Sequence, residues 1–312
     1  MDIFDQKGIR PMLIADMQEP FDSPDYLYEL KLDGERCVAY LDGESTVLQN
    51  KRGIFLNPRY PELCQIHRLA TAKCVLDGEL AVLVDGKPKF SEIQRRSLLS
   101  NKFKIDIESK KHPACFTAFD ILYYHDHSVM DTPLIQRKQL LEKSVGENGR
   151  LAISRYIQGA GVALYNLATK QDLEGVVAKR ENSLYNPGKR TKDWIKFKNL
   201  KDDDYIICGY IQKGGGITSL VLGQYNTVGD IVDKGHVTLG VSQDAFRIIS
   251  HTAAGQPLFP QKPEYDVMWL QPQLVCTVKF MEKTTTGGLR QPIFKGLRPD
   301  KLPEECVDSP AE

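Results

Sequence analysis

Runs rich in β-branched and aromatic residues recur through the first two thirds of the chain, at Tyr26 to Leu32, Cys37 to Leu41, Cys74 to Val84, Phe116 to Tyr124 and Glu174 to Lys179. Such runs, bounded by turn-forming residues, predict strands. Between them, Thr132 to Ser144 carries Leu134, Lys138, Leu140 and Leu141 on a mixed amphipathic face, which predicts a helix. This part of the chain is therefore expected to be α+β with mostly antiparallel strands.

The texture changes after the polar connector Asn199-Leu200-Lys201-Asp202-Asp203-Asp204. Short strand patterns follow at Tyr205 to Tyr210, Leu220 to Tyr225, His236 to Leu239 and Leu274 to Phe280, with one helical stretch at Ser242 to Thr252. About five short strands and one helical insertion suit a small Greek-key barrel of the OB type. Two domains are expected, 1–201 and 202–312. The triple glycine at 214–216 lacks the Gly-Lys-Ser/Thr ending of a phosphate-cradling loop and reads as a hairpin tip.

Composition narrows the setting. A hydrophobic fraction of 41% with 26% charged residues is that of a globular protein, and no run of about 18 apolar residues exists to span a bilayer. The acidic start Met1-Asp2-Ile3-Phe4-Asp5 has no export-signal character, so the reducing cytoplasm is the expected location. Seven cysteines occur with no C-x-x-C pair, which argues against a zinc knuckle or a disulfide framework and for small buried apolar residues. Lys plus Arg equals Asp plus Glu at 41 each, so any nucleic-acid surface must be local. Two runs qualify. Lys179, Arg180, Lys189, Arg190, Lys192, Lys196, Lys198 and Lys201 face only Glu181 and Asp193, while Lys279, Lys283, Arg290, Lys295, Arg298 and Lys301 face only Glu282 and Asp300. His125-Asp126-His127 has the setting of an exposed loop and is not expected to bind metal.

Lys31 ends the apolar stretch Tyr28-Glu29-Leu30 and precedes the turn signal Asp33-Gly34, so its amine is suited to face a cleft. Most lysines near turns are merely solvated. Here, however, Lys31-Leu32-Asp33-Gly34-Glu35-Arg36 resembles the Lys-x-Asp-Gly-x-Arg signature of the covalent nucleotidyltransferases, which include DNA ligases, RNA ligases and mRNA capping enzymes. Segments similar to the remaining motifs follow in order: Lys51-Arg52-Gly53, Asp77-Gly78-Glu79-Leu80, Phe119-Asp120-Ile121-Leu122, Glu174-Gly175-Val176-Val177-Ala178-Lys179, Trp194-Ile195-Lys196-Phe197-Lys198, and Arg290 through Lys301. The resemblance covers about residues 10 to 301.

The resemblance implies an ATP-grasp-like nucleotidyltransferase domain followed by the OB-type barrel, and a chemistry in which Lys31 attacks ATP and becomes linked to AMP. Lys196, Lys198 and a divalent metal would surround the amine and neutralise charge on the reacting phosphate. Magnesium, or manganese in its place, would be bound by Glu174 and Glu79, since hard cations prefer carboxylate oxygen. The nucleotide would touch Glu29, Leu30, Arg36, Arg52, Glu79, Phe119, Glu174, Lys196 and Lys198. Among these, Phe119 would stack on adenine, Glu79 would accept from the ribose hydroxyls, and Arg52 would reach AMP or the DNA 5′-phosphate. Arg137 would be either a further phosphate or ribose contact or a helix-surface ion pair. Arg298, Asp300 and Lys301 would orient pyrophosphate in the first step, with Asp202 to Asp204 as the hinge.

Pro11-Met12-Leu13, Gly235-His236-Val237, Trp269 to Val275 and Arg290 to Lys301 are similar to the ligase module of bacterial end-joining repair enzymes. The expected activity is ATP-dependent sealing of 5′-phosphate/3′-hydroxyl breaks in nicked or broken double-stranded DNA, by a monomer with a Ku-like end-binding protein as a possible partner. The chain has no room for the fused polymerase and nuclease domains and resembles a stand-alone form. Met281-Glu282-Lys283-Thr284-Thr285-Thr286 departs from the family by lacking a tryptophan. An RNA ligase or a capping guanylyltransferase is the alternative.

Overall fold

The computed structural model describes residues 2–213, 217–260, 266–284 and 286–308. The triple glycine at 214–216 and Thr285 lie outside the described residues. The chain divides into two compact units, Met1–Asn199 and Leu200–Glu312.

Two sheets build the first unit. One has the strand order Leu13–Met17, Arg190–Lys198, Gly175–Arg180, Tyr26–Leu30, Tyr156–Gln158, antiparallel except for the first pair. The other runs Thr46–Asn50, Glu35–Leu41, Cys74–Val84, Ala114–Tyr124, His127–Ser128, with short strands Lys87–Pro88 and Leu151–Ile153 added at its margins. Side chains alternate across a strand, so each sequence sorts into two faces. In the first sheet, Tyr26, Tyr28, Val176, Ala178, Ile195 and Phe197 fall on one face and form a core with Leu164, Tyr165 and Ala168 of the helix Gly161–Lys170. In the second, Cys37, Ala39, Leu76 and Leu80 enter the large core on the sheet's far side. Val38, Tyr40 and Val75 point the other way, joining Met12, Phe119, Tyr185 and Trp194 between the sheets.

The helix expected over Thr132 to Ser144 spans Leu134–Ser144. Its Arg137 is fully buried, not on the surface. The guanidinium grips Asp120 through Nε–Oδ1 at 2.8 Å and Nη2–Oδ2 at 2.9 Å, and donates to the carbonyls of Thr132 and Ser183. Helices Phe90–Ser97, Lys102–Lys111 and Gly161–Lys170 were not expected from the pattern. Phe103 and Ile107 on the second of these are exposed, so that helix lacks the apolar stripe that periodicity would reveal.

The second unit is an OB-type barrel, with strand order Ile231–Val237, Ile217–Tyr225, Lys201–Lys213, Val275–Phe280, Ile293–Leu297 and a short Met268–Trp269 strand on Lys201–Lys213. Leu239 bridges Ile293 in parallel and its carbonyl accepts from Phe294 N at 2.8 Å, which links the two end strands. Helix Gln243–Ser250 starts at Ser242, whose hydroxyl accepts from Ala245 N. The strand expected at His236 to Leu239 instead ends at Val237. The connector expected at Asn199 to Asp204 is mostly strand, because Lys201 to Asp204 pair with Phe280 back to Thr277. Ladder pairing holds Asp202 to Asp204 inside the barrel unit, where a solvated connector was expected, and Asn199 and Leu200 lie between the strands.

Candidate active site

Strand register creates the site. Val177 pairs with Glu29 on one side and Lys196 on the other, while Lys179 pairs with Leu27 and Trp194. Lys31 N donates to Gly175 O at 2.9 Å, and Gly175 pairs with Lys198. Residues in cross-strand register share a face, so Glu29, Lys31, Val177, Lys179, Trp194, Lys196 and Lys198 all project toward the second sheet, opposite the aromatic core. Gly175 sits at φ +138 with its Cα hydrogen against Phe197 O, where a Cβ would come within 2.0 Å. Only glycine fits this bend, which opens the strand Gly175–Arg180 and presents Glu174 beside Lys31.

From the second sheet come Arg36, Glu79 and Phe119. Arg36 and Glu79 are register partners. Phe119 is the extra residue of a bulge, since Gly78 pairs with Ala118 and Asp77 with Asp120; a bulge re-aims side chains. Its ring packs edge-on against Trp194 at 6.2 Å. Gly34 lets the Lys31 to Arg36 loop lie on the neighbouring strand, where a Cβ would be 2.0 Å from Leu80 O. The resulting cavity, partly open to solvent, is lined by Ile14, Glu29, Leu30, Lys31, Leu32, Arg36, Glu79, Phe119, Val177, Lys179 and Trp194.

Several of the charges in and around the cavity are paired. Lys31 Nζ is 2.7 Å from Glu174 Oε1. Burial raises the Glu174 carboxyl above its ordinary range, and Lys31 only partly offsets this. Burial likewise pushes Glu79 up to about 8. Lys196 is held below the usual lysine range, first by burial and then by repulsion from Lys31. Arg36 is clamped by Asp77, Nε–Oδ1 and Nη2–Oδ2 both at 2.6 Å, and Tyr185 OH donates to the same carboxylate at 2.6 Å. Deeper in, Glu29 Oε1 lies 2.7 Å from Lys138 Nζ and 2.8 Å from Lys179 Nζ. These two ammonium groups outweigh burial and keep the Glu29 carboxyl low, while burial drives Lys179 down to about 8. Lys179 and Arg36 also lie 4.2 and 4.5 Å from the Phe119 ring centroid.

Of the residues singled out in the sequence, Glu29, Leu30, Lys31, Arg36, Glu79 and Phe119 line the cavity, and Glu174, Lys196 and Lys198 flank Lys31. Arg52 is exposed on the turn after Thr46–Asn50, where Asn50 Oδ1 accepts from its N–H, and does not line the cavity. Arg298, Asp300 and Lys301 belong to the second unit. There Arg298 pairs with Asp300 and Asp204, and Lys301 Nζ is 2.6 Å from Asp204 Oδ2. Lys179 belongs to the cavity and not to a basic surface. Sequence reasoning missed Lys138, Lys179, Asp77, Tyr185 and Asp204 as parts of these networks. Lys138 carried the clearest signal, being a charged residue among Leu134 and Leu141 on the helix's buried face. Five of the seven cysteines are buried and all are free thiols. His125 and His127 are exposed.

Comparison with known proteins identifies the family. A family model for the ATP dependent DNA ligase domain matches residues 11–198, and one for the ATP dependent DNA ligase C terminal region matches residues 213–301. DNA ligase C1 of Mycolicibacterium smegmatis is 31% identical over 98% of this chain and 94% of its own length. The multifunctional non-homologous end joining DNA repair protein LigD of Mycobacterium tuberculosis is 30% identical over 98% of this chain, which spans 40% of LigD. A solved structure of mycobacterial DNA ligase D, complexed with ATP and MES, superposes with a TM-score of 0.58 at 27% identity, covering 99% of this chain and 100% of that one. The two family models together match residues 11–198 and 213–301, which include the Lys31 cavity and the closing motif, and the chain belongs to the ATP-dependent DNA ligases.

Proposed function

We propose that this chain seals 5′-phosphate/3′-hydroxyl breaks in double-stranded DNA through a lysyl-AMP intermediate. The observation that carries this reading is the position of Lys31, at the mouth of a cavity that holds Phe119 and Glu79, with Glu174 at 2.7 Å and Lys196 and Lys198 on the same sheet face. Lys31 Nζ attacks the α-phosphate of ATP, the bond to the β-phosphate oxygen breaks, and pyrophosphate leaves. The DNA 5′-phosphate then takes the AMP from Lys31, and the adjacent 3′-hydroxyl displaces AMP to form the phosphodiester. Lys196 and Lys198 offset charge that builds on the phosphate oxygens. Phe119 and Val177 offer apolar surface to the base, and Glu79 an acceptor to the ribose. Arg298, Asp300 and Lys301 act on the pyrophosphate in the first step, and Arg52 on the 5′-phosphate.

The residues present suit magnesium. Glu174 Oε2 is buried with no hydrogen-bond partner among the described residues, and Glu79 is a carboxyl whose ionisation burial opposes. A hard divalent cation held by Glu174 and Glu79 would answer both, supplying charge neutralisation at the phosphates. Among the described residues no group of three or more potential ligands stands ready to hold a metal. Two carboxylates completed by phosphate and water oxygens fit that finding. Manganese has the same oxygen preference. The names of the relatives support a place in end-joining repair; we further propose a Ku-like end-binding partner and a cytoplasmic monomer. No helix among the described residues is long and apolar enough to cross a membrane.

Incubation with magnesium and α-labelled ATP or GTP, followed by denaturation, tests the chemistry. Label should persist from ATP alone and be absent from Lys31→Ala. Labelling from GTP would favour a capping-type enzyme, and full labelling of the variant would remove Lys31 from the reaction.

A further inference from the structure

Asp204 is a carboxylate for which the ligase chemistry above has no use, yet it is engaged by three side chains of the barrel unit, Thr277, Arg298 and Lys301. It lies in the first barrel strand opposite Thr277 and is 8% exposed. Thr277 Oγ1 donates to its Oδ1 at 2.5 Å. Lys301 Nζ is 2.6 Å and Arg298 Nη1 3.2 Å from its Oδ2. Arg298 is held from its other edge by Asp300, Nε–Oδ1 at 2.9 Å and Nη2–Oδ2 at 2.8 Å.

We propose that Asp204 is a positioning residue for the first chemical step: it holds Arg298 and Lys301 side by side as a ready-made cradle for the leaving pyrophosphate. The inference rests on the reading of Arg298 and Lys301 given under the proposed function.

Two cations brought to one carboxylate repel each other, and an anion between them is what keeps them together. Geometry makes that anion internal. Asp204 is buried beneath the cations, while the Arg298 and Lys301 side chains remain 35% and 32% exposed. A guanidinium carries five N–H donors and an ammonium three. The contacts to Asp204 and Asp300 leave donors on Arg298 and on Lys301 for an incoming anion, so the carboxylate need not be displaced. Burial acts to raise the Asp204 carboxyl, but Lys301, Thr277 and Arg298 outweigh it and hold the group below the ordinary range, so the anchor stays charged at neutral pH. A rigid anchor at the base of both side chains lowers the ordering cost of gripping a phosphate.

The test measures three rates in Asp204→Asn and Thr277→Val. These are self-adenylylation as a function of ATP, its reversal by added pyrophosphate, and sealing of a pre-adenylylated nick. Asp204→Asn should slow adenylylation and its pyrophosphate-driven reversal alike, by at least tenfold, chiefly by raising KM for ATP and half-saturation for pyrophosphate. Sealing of the pre-adenylylated nick should stay within about twofold. Thr277→Val, which removes only the threonine's hydrogen bond, should shift the same two reactions in the same direction by a smaller factor. Equal loss in all three reactions would mean that Asp204 merely stabilises the barrel, and faster adenylylation would mean that it competes with phosphate; either result overturns the proposal. Arg298→Ala and Lys301→Ala are run alongside. If these adenylylate normally, the reading of the closing motif fails, whatever Asp204 does.

Discussion

Lys31 Nζ and Glu174 Oε1 lie 2.7 Å apart, and the second oxygen of that carboxylate is buried without a hydrogen-bond partner among the described residues. An amine engaged with a carboxylate is not free to attack phosphorus. A divalent cation held by Glu174 would compete with Lys31 for that carboxylate, and would couple metal binding to release of the nucleophile. Glu174→Gln removes the charge that both partners use. It is expected to lower the rate of self-adenylylation by about 100-fold, the scale of losing one electrostatic contact in a reaction centre. Loss of less than threefold, read from labelled ATP at saturating magnesium, would separate Glu174 from the metal.

Glu79 gives the ligand-free protein a pH dependence of definite sign. Its carboxyl is pushed up to about 8 from an ordinary 4.5. Between those values the folded state holds a proton that the unfolded state has lost, so stability falls as pH rises through that window. The pocket is partly open to solvent, which discounts the effect to roughly 1–3 kcal/mol. In EDTA, wild-type protein should lose stability between pH 5 and pH 9 relative to Glu79→Gln, measured by urea unfolding. Parallel profiles for the two proteins would contradict the assignment.

The Arg36–Asp77 pair is a structural joint as well as a pocket wall. Arg36 also donates to Met12 O at 3.2 Å, and Tyr185 adds a third bond to Asp77, so one carboxylate ties three segments together. Removing one partner of such a pair strands the other charge. Asp77→Asn should cost about 3–5 kcal/mol in urea unfolding. Tyr185→Phe removes only one hydrogen bond and should cost roughly 1 kcal/mol. Equal costs would mean that the ion pair contributes nothing beyond packing.

How far the site could be read in advance depends on chain distance. Glu29, Leu30, Lys31 and Arg36 fall within eight positions, so one motif brings them together, and Glu79 and Phe119 each sit in a motif of their own. The Glu29, Lys138 and Lys179 cluster has no such locality. It depends on the register of Val177 against Glu29 and on how the Leu134–Ser144 helix lies against the sheet, neither of which composition or period encodes. Lys179 stands in a run of basic residues with Arg180, Lys189 and Lys192, which suggests a basic surface; alternation puts it on the opposite face from the exposed Arg180. Three successive aspartates at 202–204 look like a solvated connector in the sequence. Strand pairing with Thr277 turns Asp204 inward to meet side chains 94 and 97 positions away, at 298 and 301.

Phe119 separates a binding role from a packing role. It is 8% exposed, lines the cavity and touches Trp194 edge-on, so a core residue and a base-stacking residue would look alike in the absence of nucleotide. The bulge favours stacking, because regular alternation between Ala118 and Asp120 would not need an extra residue there. Phe119→Ala confounds the two roles, since emptying a core position costs about 3–5 kcal/mol by itself. Phe119→Leu keeps most of the volume and loses the aromatic face. An aromatic stack is worth about 0.5–1.5 kcal/mol beyond burial, so KM for ATP in self-adenylylation should rise roughly 2- to 12-fold in this variant. The rate at saturating ATP should change by less than about twofold, because the base lies away from the reacting phosphate. An unchanged KM together with lower stability would assign Phe119 to the core between the sheets and leave Val177 and Trp194 as the apolar contacts for the base.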